Sequence, residues 1–167
     1  KGLTPDDLET VISRLENVPG SFYRRMVDTN NLVRDGFDFT PSDPFFAPFH
    51  LDFIDFDEPS NNTFTAVNQF TYVEGGHDRR PDVILFVNGI PIVIVELKNP
   101  TDADATTETA HRQITMRYRK YIPSFLRYCA IAVVSDVSTS LMGTSVSDYE
   151  HFYAWKKVEN EDEPQAG

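Results

Sequence analysis

The chain has 167 residues, 40% of them hydrophobic and 25% charged, a composition suited to one globular domain with a sizeable core. No apolar run reaches membrane-spanning length, no signal peptide is evident, and a single cysteine, Cys129, excludes a disulfide within the chain, so a reducing, cytoplasmic setting away from membranes is expected. The formal net charge of -11 argues against strong duplex binding by the chain alone, because such affinity comes from Lys and Arg displacing phosphate counterions.

Thr4-Pro5-Asp6-Asp7 reads as a helix start, with Thr4 as N-cap and Pro5 at the first helical position. Leu8, Val11, Ile12 and Leu15 follow at helical spacing, and Pro19-Gly20 marks the end. Residues 37–49, rich in Pro and Phe, suggest an ordered loop. Alternating polarity over residues 50–56 predicts a strand, Asn61-Asn62 a turn, and residues 64–73 a second strand. Seven acids and no Lys or Arg fall between Asp35 and Glu58.

Residues 81–98 are two apolar runs around Asn88-Gly89, with Asp82 entering the first and Glu96 and Lys98 leaving the second. A buried hairpin has no packing reason for those charges, and their order resembles the PD-(D/E)-x-K signature of metal-dependent nucleases. Carboxylates suit a hard cation, and an amine suits the attacking hydroxide and the charge that develops on phosphate. Glu96 and Lys98 share a face because strand side chains alternate. A plain two-residue turn with no irregularity would place Asp82 opposite Val95 and point it away from Glu96. The predicted solution is a three-residue loop, Val87-Asn88-Gly89, with Gly89 in a G1 bulge and Asp82 opposite Ile94, or an equivalent one-residue bulge elsewhere in the hairpin.

After Pro100 the chain turns small and polar, then takes a helical composition over residues 112–121 that Ile122-Pro123 ends. Arg112, Arg117, Arg119, Lys120 and Arg127 lie in an acid-free stretch after the motif, and Arg79 and Arg80 precede Asp82. They read either as a solvated face or as a phosphate track. Arg79, Arg80, Arg112, Arg117, Arg119 and Lys120 are the candidates for DNA-phosphate contact. Residues 129–135 read as a strand buried on both faces, and residues 141–155 as further strands covering the sheet. The alternation of helix, hairpin, helix and strand gives an α/β fold with a mixed sheet. Residues 159–167 hold an acidic tail expected to be disordered. His50, His77, His111 and His151 lack zinc-like spacing and are expected to be solvated or structural.

Several runs together resemble the N-terminal nuclease domain of the restriction (R) subunit of type I restriction-modification enzymes. They are Ile54-Asp55-Phe56-Asp57-Glu58-Pro59, Val67-Asn68-Gln69-Phe70, Arg80-Pro81-Asp82 through Lys98-Asn99-Pro100, residues 118–123, and Met142-Gly143-Thr144 through Trp155-Lys156. The resemblance implies a restriction-endonuclease-like fold over residues 1–158, a mixed central sheet flanked by helices. It further implies Mg²⁺-dependent cleavage of double-stranded DNA without sequence reading, and methyltransferase and specificity subunits as partners. Asp82 and Glu96 would be metal carboxylates, Leu97 would lend its backbone carbonyl, and Lys98 would position or help deprotonate the attacking water. Resembling proteins tend to carry a Gln and a Tyr four residues apart on the next helix. Here Gln113 and Tyr118 are five apart, about 140° around an ideal α-helix, so either a π-bulge realigns them or only one contributes. ATP would serve a translocase elsewhere in the larger subunit, since no G-x-x-x-x-G-K-[ST] loop occurs here. The chain is accordingly expected to be a fragment cut at both ends, and Glu9 and Glu16 match no motif that gives them a metal role. The competing expectations are a docking module between translocase and methyltransferase, or a stand-alone repair nuclease of the same fold.

Overall fold

The computed structural model describes residues 3–99, 105–136 and 138–154. Trp155, the proposed boundary after residue 158 and the acidic tail lie outside them. Helix α1 (Pro5–Glu16) starts where the sequence predicts. Thr4 accepts the Asp7 amide while the Asp7 carboxylate accepts the Thr4 amide, which satisfies two donors that a helix start leaves open. A second helix, α2 (Phe22–Asp35), fills a stretch with no predicted element. Its signals are a Ser21 cap and Gly36, whose φ is 64° and where a Cβ would meet the Leu51 carbonyl at 2.3 Å.

Two short strands, β1 (Phe37–Phe39) and β2 (Phe49–Leu51), form an antiparallel ribbon whose Phe37 and Phe39 join Val11 in a small core. The strand predicted over residues 50–56 therefore stops after Leu51. Beyond it the chain folds around Asp55, whose carboxylate accepts the Asp57 and Glu58 amides and the Asn61 side chain. An Asp that bonds its own neighbourhood draws the backbone out of a ladder. The second predicted strand is also split. It becomes β3 (Phe64–Asn68) and, after Gln69 at φ 54°, β4 (Tyr72–Glu74), which pairs with β5 (His77–Arg79) as a separate ribbon.

The central sheet adds β6 (Val83–Val87), β7 (Ile90–Leu97), β8 (Ile131–Ser135), β9 (Ser140–Gly143) and β10 (Tyr153–Ala154), in the order β10-β9-β8-β7-β6-β3. Only β7 and β8 run parallel, so the fold is α/β with a mixed six-stranded sheet, as expected. β8 is buried at Ala132, Val133 and Val134. β9 and β10 extend the sheet edge rather than cover the sheet. Helix α3 (Thr107–Arg112) packs against β7 and β8, and the chain continues through a π-helical segment (Gln113–Tyr118), α4 (Arg119–Tyr121) and α5 (Pro123–Leu126). Ile84, Ile94, Ala132 and Val134 meet Ala110, Ile114, Tyr118 and Ile122 in the main core, which also holds Cys129 as a free thiol.

The opposite sheet face is different. Leu85, Val93 and Val95 are half-buried there, while Phe64 is 65% and Met142 39% exposed, and none of the strand residues on that face is charged. No helix among the described residues is long and apolar enough to cross a membrane.

Candidate active site

Asn88 and Gly89 have φ of 50° and 81° and form a two-residue turn that puts Val87 opposite Ile90. The predicted three-residue loop is therefore not formed, and the irregularity sits further along. Phe86 faces Pro91 but Leu85 faces Val93, which leaves Ile92 as the extra residue. Pro91 has no N–H to give the ladder, and a bulge beside it is the ordinary accommodation. From there Ile84 pairs with Ile94 and Val83 with Val95, so Asp82 comes directly across from Glu96 rather than diagonal to it. A one-residue bulge does bring the two acids to one face, by the alternative route.

Around them the side chains interlock. The Leu97 amide donates to Asp82 Oδ2 at 2.8 Å, so that edge of the strand, where the Leu97 carbonyl also lies, faces Asp82. Lys98 reaches Gln113 Oε1 at 2.7 Å. Gln113 Nε2 donates to Glu96 Oε2 at 2.6 Å and to the Tyr118 hydroxyl at 2.7 Å, and that hydroxyl donates to Glu96 Oε1 at 2.5 Å. A contact the sequence does not announce comes from Gln69, whose Nε2 stands 3.5 Å from Asp82 Oδ1. Its only advance signal is its place in the Val67-Asn68-Gln69-Phe70 run.

The five-residue spacing of Gln113 and Tyr118 is explained by the helix itself. Residues Gln113–Tyr118 are π-helical, so side chains five apart align, and both reach Glu96. Glu96 is 1% exposed. Burial raises its pKa to about 7; Asp82 adds to the rise, while the Tyr118 hydrogen bond and the Lys98 charge oppose it. Burial, reinforced by Glu96, also pushes the Tyr118 hydroxyl far above its ordinary range and keeps it a donor.

Two carboxylates and a carbonyl form a hard-oxygen set that fits a small divalent cation, with solvent completing the shell. A buried acid whose ionisation lacks a full counter-charge is what such a cation would offset. Among the described residues, no three His, Cys, Asp or Glu side chains converge as a denser metal cluster. The histidines are occupied elsewhere. His111 Nε2 meets the Ser147 carbonyl at 2.8 Å, His50 Nδ1 meets Asp38 at 2.9 Å, His77 packs on Tyr121, and His151 lies 3.8 Å from Glu150.

The family model described as the type I restriction enzyme R protein N terminus matches residues 4–151. The chain belongs to that family. It is 38% identical over 113 residues to a Methanocaldococcus jannaschii protein provisionally named the type I restriction enzyme MjaIXP endonuclease subunit, across 66% of this chain and 11% of that one. It is 36% identical over 107 residues to the type I restriction enzyme HindI endonuclease subunit of Haemophilus influenzae, across 64% and 10%. The match thus spans about a tenth of the length of these relatives.

In this R-protein N-terminal segment the basic candidates do not all lie together. Arg79, Arg80, Arg117 and Lys120 line one cleft of about 750 Å³ with Gln113 and Tyr118, with Asp78 the single acid in its wall. Arg112 and Lys98 border a second of about 410 Å³ that shares Gln113, Met116 and Arg117 with the first, and Arg112 also pairs with Glu108 at 2.7 Å. Arg119 lies over the Phe22 ring at 5.1 Å and lines neither cleft. Arg127 is buried, bonded to the Leu15 carbonyl and the Tyr128 hydroxyl.

Proposed function

We propose that this segment is the Mg²⁺-dependent endonuclease domain of a type I restriction enzyme R subunit, hydrolysing phosphodiester bonds of double-stranded DNA without reading sequence itself. The observation that supports it most is the bulged hairpin, which sets Asp82 across from Glu96 with Lys98 on the Glu96 face. Asp82, Glu96 and the Leu97 carbonyl would hold the ion, which supplies Lewis-acid stabilisation of phosphate charge and a more acidic water.

The protein's own groups do the rest. Tyr118 and Gln113 fix both Glu96 oxygens, so the carboxylate is oriented before substrate arrives. Lys98, drawn to Gln113, holds a positive charge beside the carboxylates. It serves the attacking water and the charge that builds on five-coordinate phosphorus more than the ground state. Arg79, Arg80, Arg117 and Lys120 give the neighbouring cleft a local positive field on an acidic protein, which suits a phosphate track. ATP-driven translocation and target selection belong to other parts of the R subunit and to its methyltransferase and specificity partners.

The test is calorimetry with Mg²⁺ or Mn²⁺ on the wild type and Asp82→Ala, paired with DNA cleavage by the assembled enzyme. Loss of both metal binding and cleavage in Asp82→Ala is expected. Equal metal binding by the two proteins removes Asp82 from the site. Near-normal cleavage by Lys98→Ala removes Lys98 from the chemistry, whereas loss of both cleavage and DNA-stimulated ATP hydrolysis with a normal melting curve favours a docking role for this segment.

A further inference from the structure

Among the described residues, Gln69 and Asn88 alone adopt a left-handed φ without being glycine. Asn88 is explained by its turn, where Asn is well suited. Gln69 is not, since a Gln at φ 54° carries a conformational cost that an extended residue would avoid. The bend places the Gln69 amide on the Asp82 carbonyl at 2.8 Å, one step beyond the Asn68–Val83 pair that ends β3 against β6. It also brings the Gln69 side chain back over the Asp82 carboxylate. The next residue, Phe70, locks the bend from inside by stacking on Phe125 at 5.7 Å and meeting Phe86 edge-on at 5.4 Å.

Asp82 is therefore gripped from both neighbouring strands: Leu97 on the β7 side holds Oδ2 and Gln69 on the β3 side approaches Oδ1. With Leu97 alone the carboxylate could turn about its last torsion, which is soft for Asp. We infer that Gln69 is a positioning residue for Asp82, held in a strained backbone conformation so that its amide fixes the carboxylate plane for a divalent cation. This rests on the proposed Asp82–Glu96 metal site. An amide hydrogen takes one lone pair of Oδ1 and leaves the other for the ion, the usual arrangement around a ligating carboxylate.

Strain and function then separate under mutation. Gln69→Gly removes the amide and relieves φ, so it should weaken Mn²⁺ binding by about 10-fold or more while the unfolding midpoint stays level or rises. Gln69→Asn keeps a side chain tolerant of left-handed φ but withdraws the amide by one methylene, and should lose affinity with the fold intact. Mn²⁺ calorimetry and thermal unfolding of the wild type, Gln69→Gly, Gln69→Asn and Asp82→Ala decide the matter. Weaker binding in both Gln69 variants with unchanged or higher midpoints supports the assignment. Wild-type affinity in a folded Gln69→Asn or Gln69→Gly, with binding lost in Asp82→Ala, overturns it and leaves the metal site standing. Wild-type affinity in Asp82→Ala overturns the metal site, and this role for Gln69 with it.

Discussion

Glu96 ties stability to proton binding. In the folded chain it keeps a proton up to about pH 7, whereas unfolded it releases the proton near the ordinary 4.5. Between those values the folded state binds more protons, so stability falls as pH rises, on the order of 3 kcal/mol across the window. The contribution is whole below about pH 4.5 and gone above about pH 7. Glu96→Gln has no such slope and can keep both contacts, its oxygen accepting from Gln113 and its nitrogen donating to the Tyr118 hydroxyl. Without metal, the variant should melt several degrees higher than the wild type at pH 8 and close to it at pH 4.5. Melting curves at the two pH values in chelator check this, and parallel pH profiles would refute it. Mg²⁺ should then raise the wild-type midpoint at pH 8 and leave Glu96→Gln nearly unmoved, because an ion that binds only the folded state stabilises it by mass action. Lys98 sits at a strand end and is half-buried, so Lys98→Ala should leave the melting curve almost unchanged. In the assembled enzyme it should lower DNA cleavage by roughly 100-fold or more while DNA-stimulated ATP hydrolysis survives. Both activities measured on one preparation provide the check.

At the scale of elements, the π-helical segment is the least ordinary piece of secondary structure and the easiest to edit. Met116 is 66% exposed within it, and deleting that residue would let an α-helix place Gln113 and the following Tyr four apart, on one helix face. The deletion should shift the melting midpoint by less than about 5 °C and preserve metal affinity. Replacing Met116 with Pro should instead cost ~3 kcal/mol, since a ring cannot sit inside the helix. Circular dichroism with metal titration distinguishes the outcomes. The five-residue spacing of Gln113 and Tyr118 leaves two readings in the sequence, a π-bulge or an α-helix on which only one of the pair contributes, and the structure has the first. The hairpin is legible for a similar reason: alternation and Asn-Gly set its strands and turn, and the need for Asp82 and Glu96 to share a face demands an odd residue. The place of that residue is harder to read, because Gly89 is the natural bulge by residue type, while the missing N–H of Pro91 acts on the ladder beyond the turn. Around Asp55 the alternating pattern is genuine, but it serves a loop, and periodicity does not tell a carboxylate facing solvent from one bonding its own backbone. α2 escapes a reading by periodicity although Ser21 and Gly36 bracket it, because its polar run, Asp28 through Asn31, blurs the apolar stripe. Gln69 is invisible in the sequence as anything but a member of a run, since strain shows only in φ.

For the molecule as a whole, a net charge of -11 and a cleft lined by four cations pull DNA binding in opposite directions. Binding of duplex by this chain should be weak and visible only at low salt. Substituting Arg80, Arg117 or Lys120 with Ala should lower the slope of log affinity against log salt by about 0.9 for each phosphate that is no longer neutralised. Anisotropy titrations at several salt concentrations measure that slope, and an unchanged slope would remove the residue from the track. Arg119→Ala, whose guanidinium rests on Phe22, should leave it alone. The uncharged sheet face built from Phe64, Leu85, Val93, Val95 and Met142 has a calorimetric consequence. Heat capacity rises on unfolding because apolar surface becomes hydrated, and this face is already partly wet in the native state. Unfolding should therefore raise the heat capacity by less than the customary ~12 cal/mol/K per residue, and the urea dependence should be correspondingly shallow. A chain of this kind loses stability gradually on either side of its optimum temperature, so that cooling weakens it less than its length would suggest.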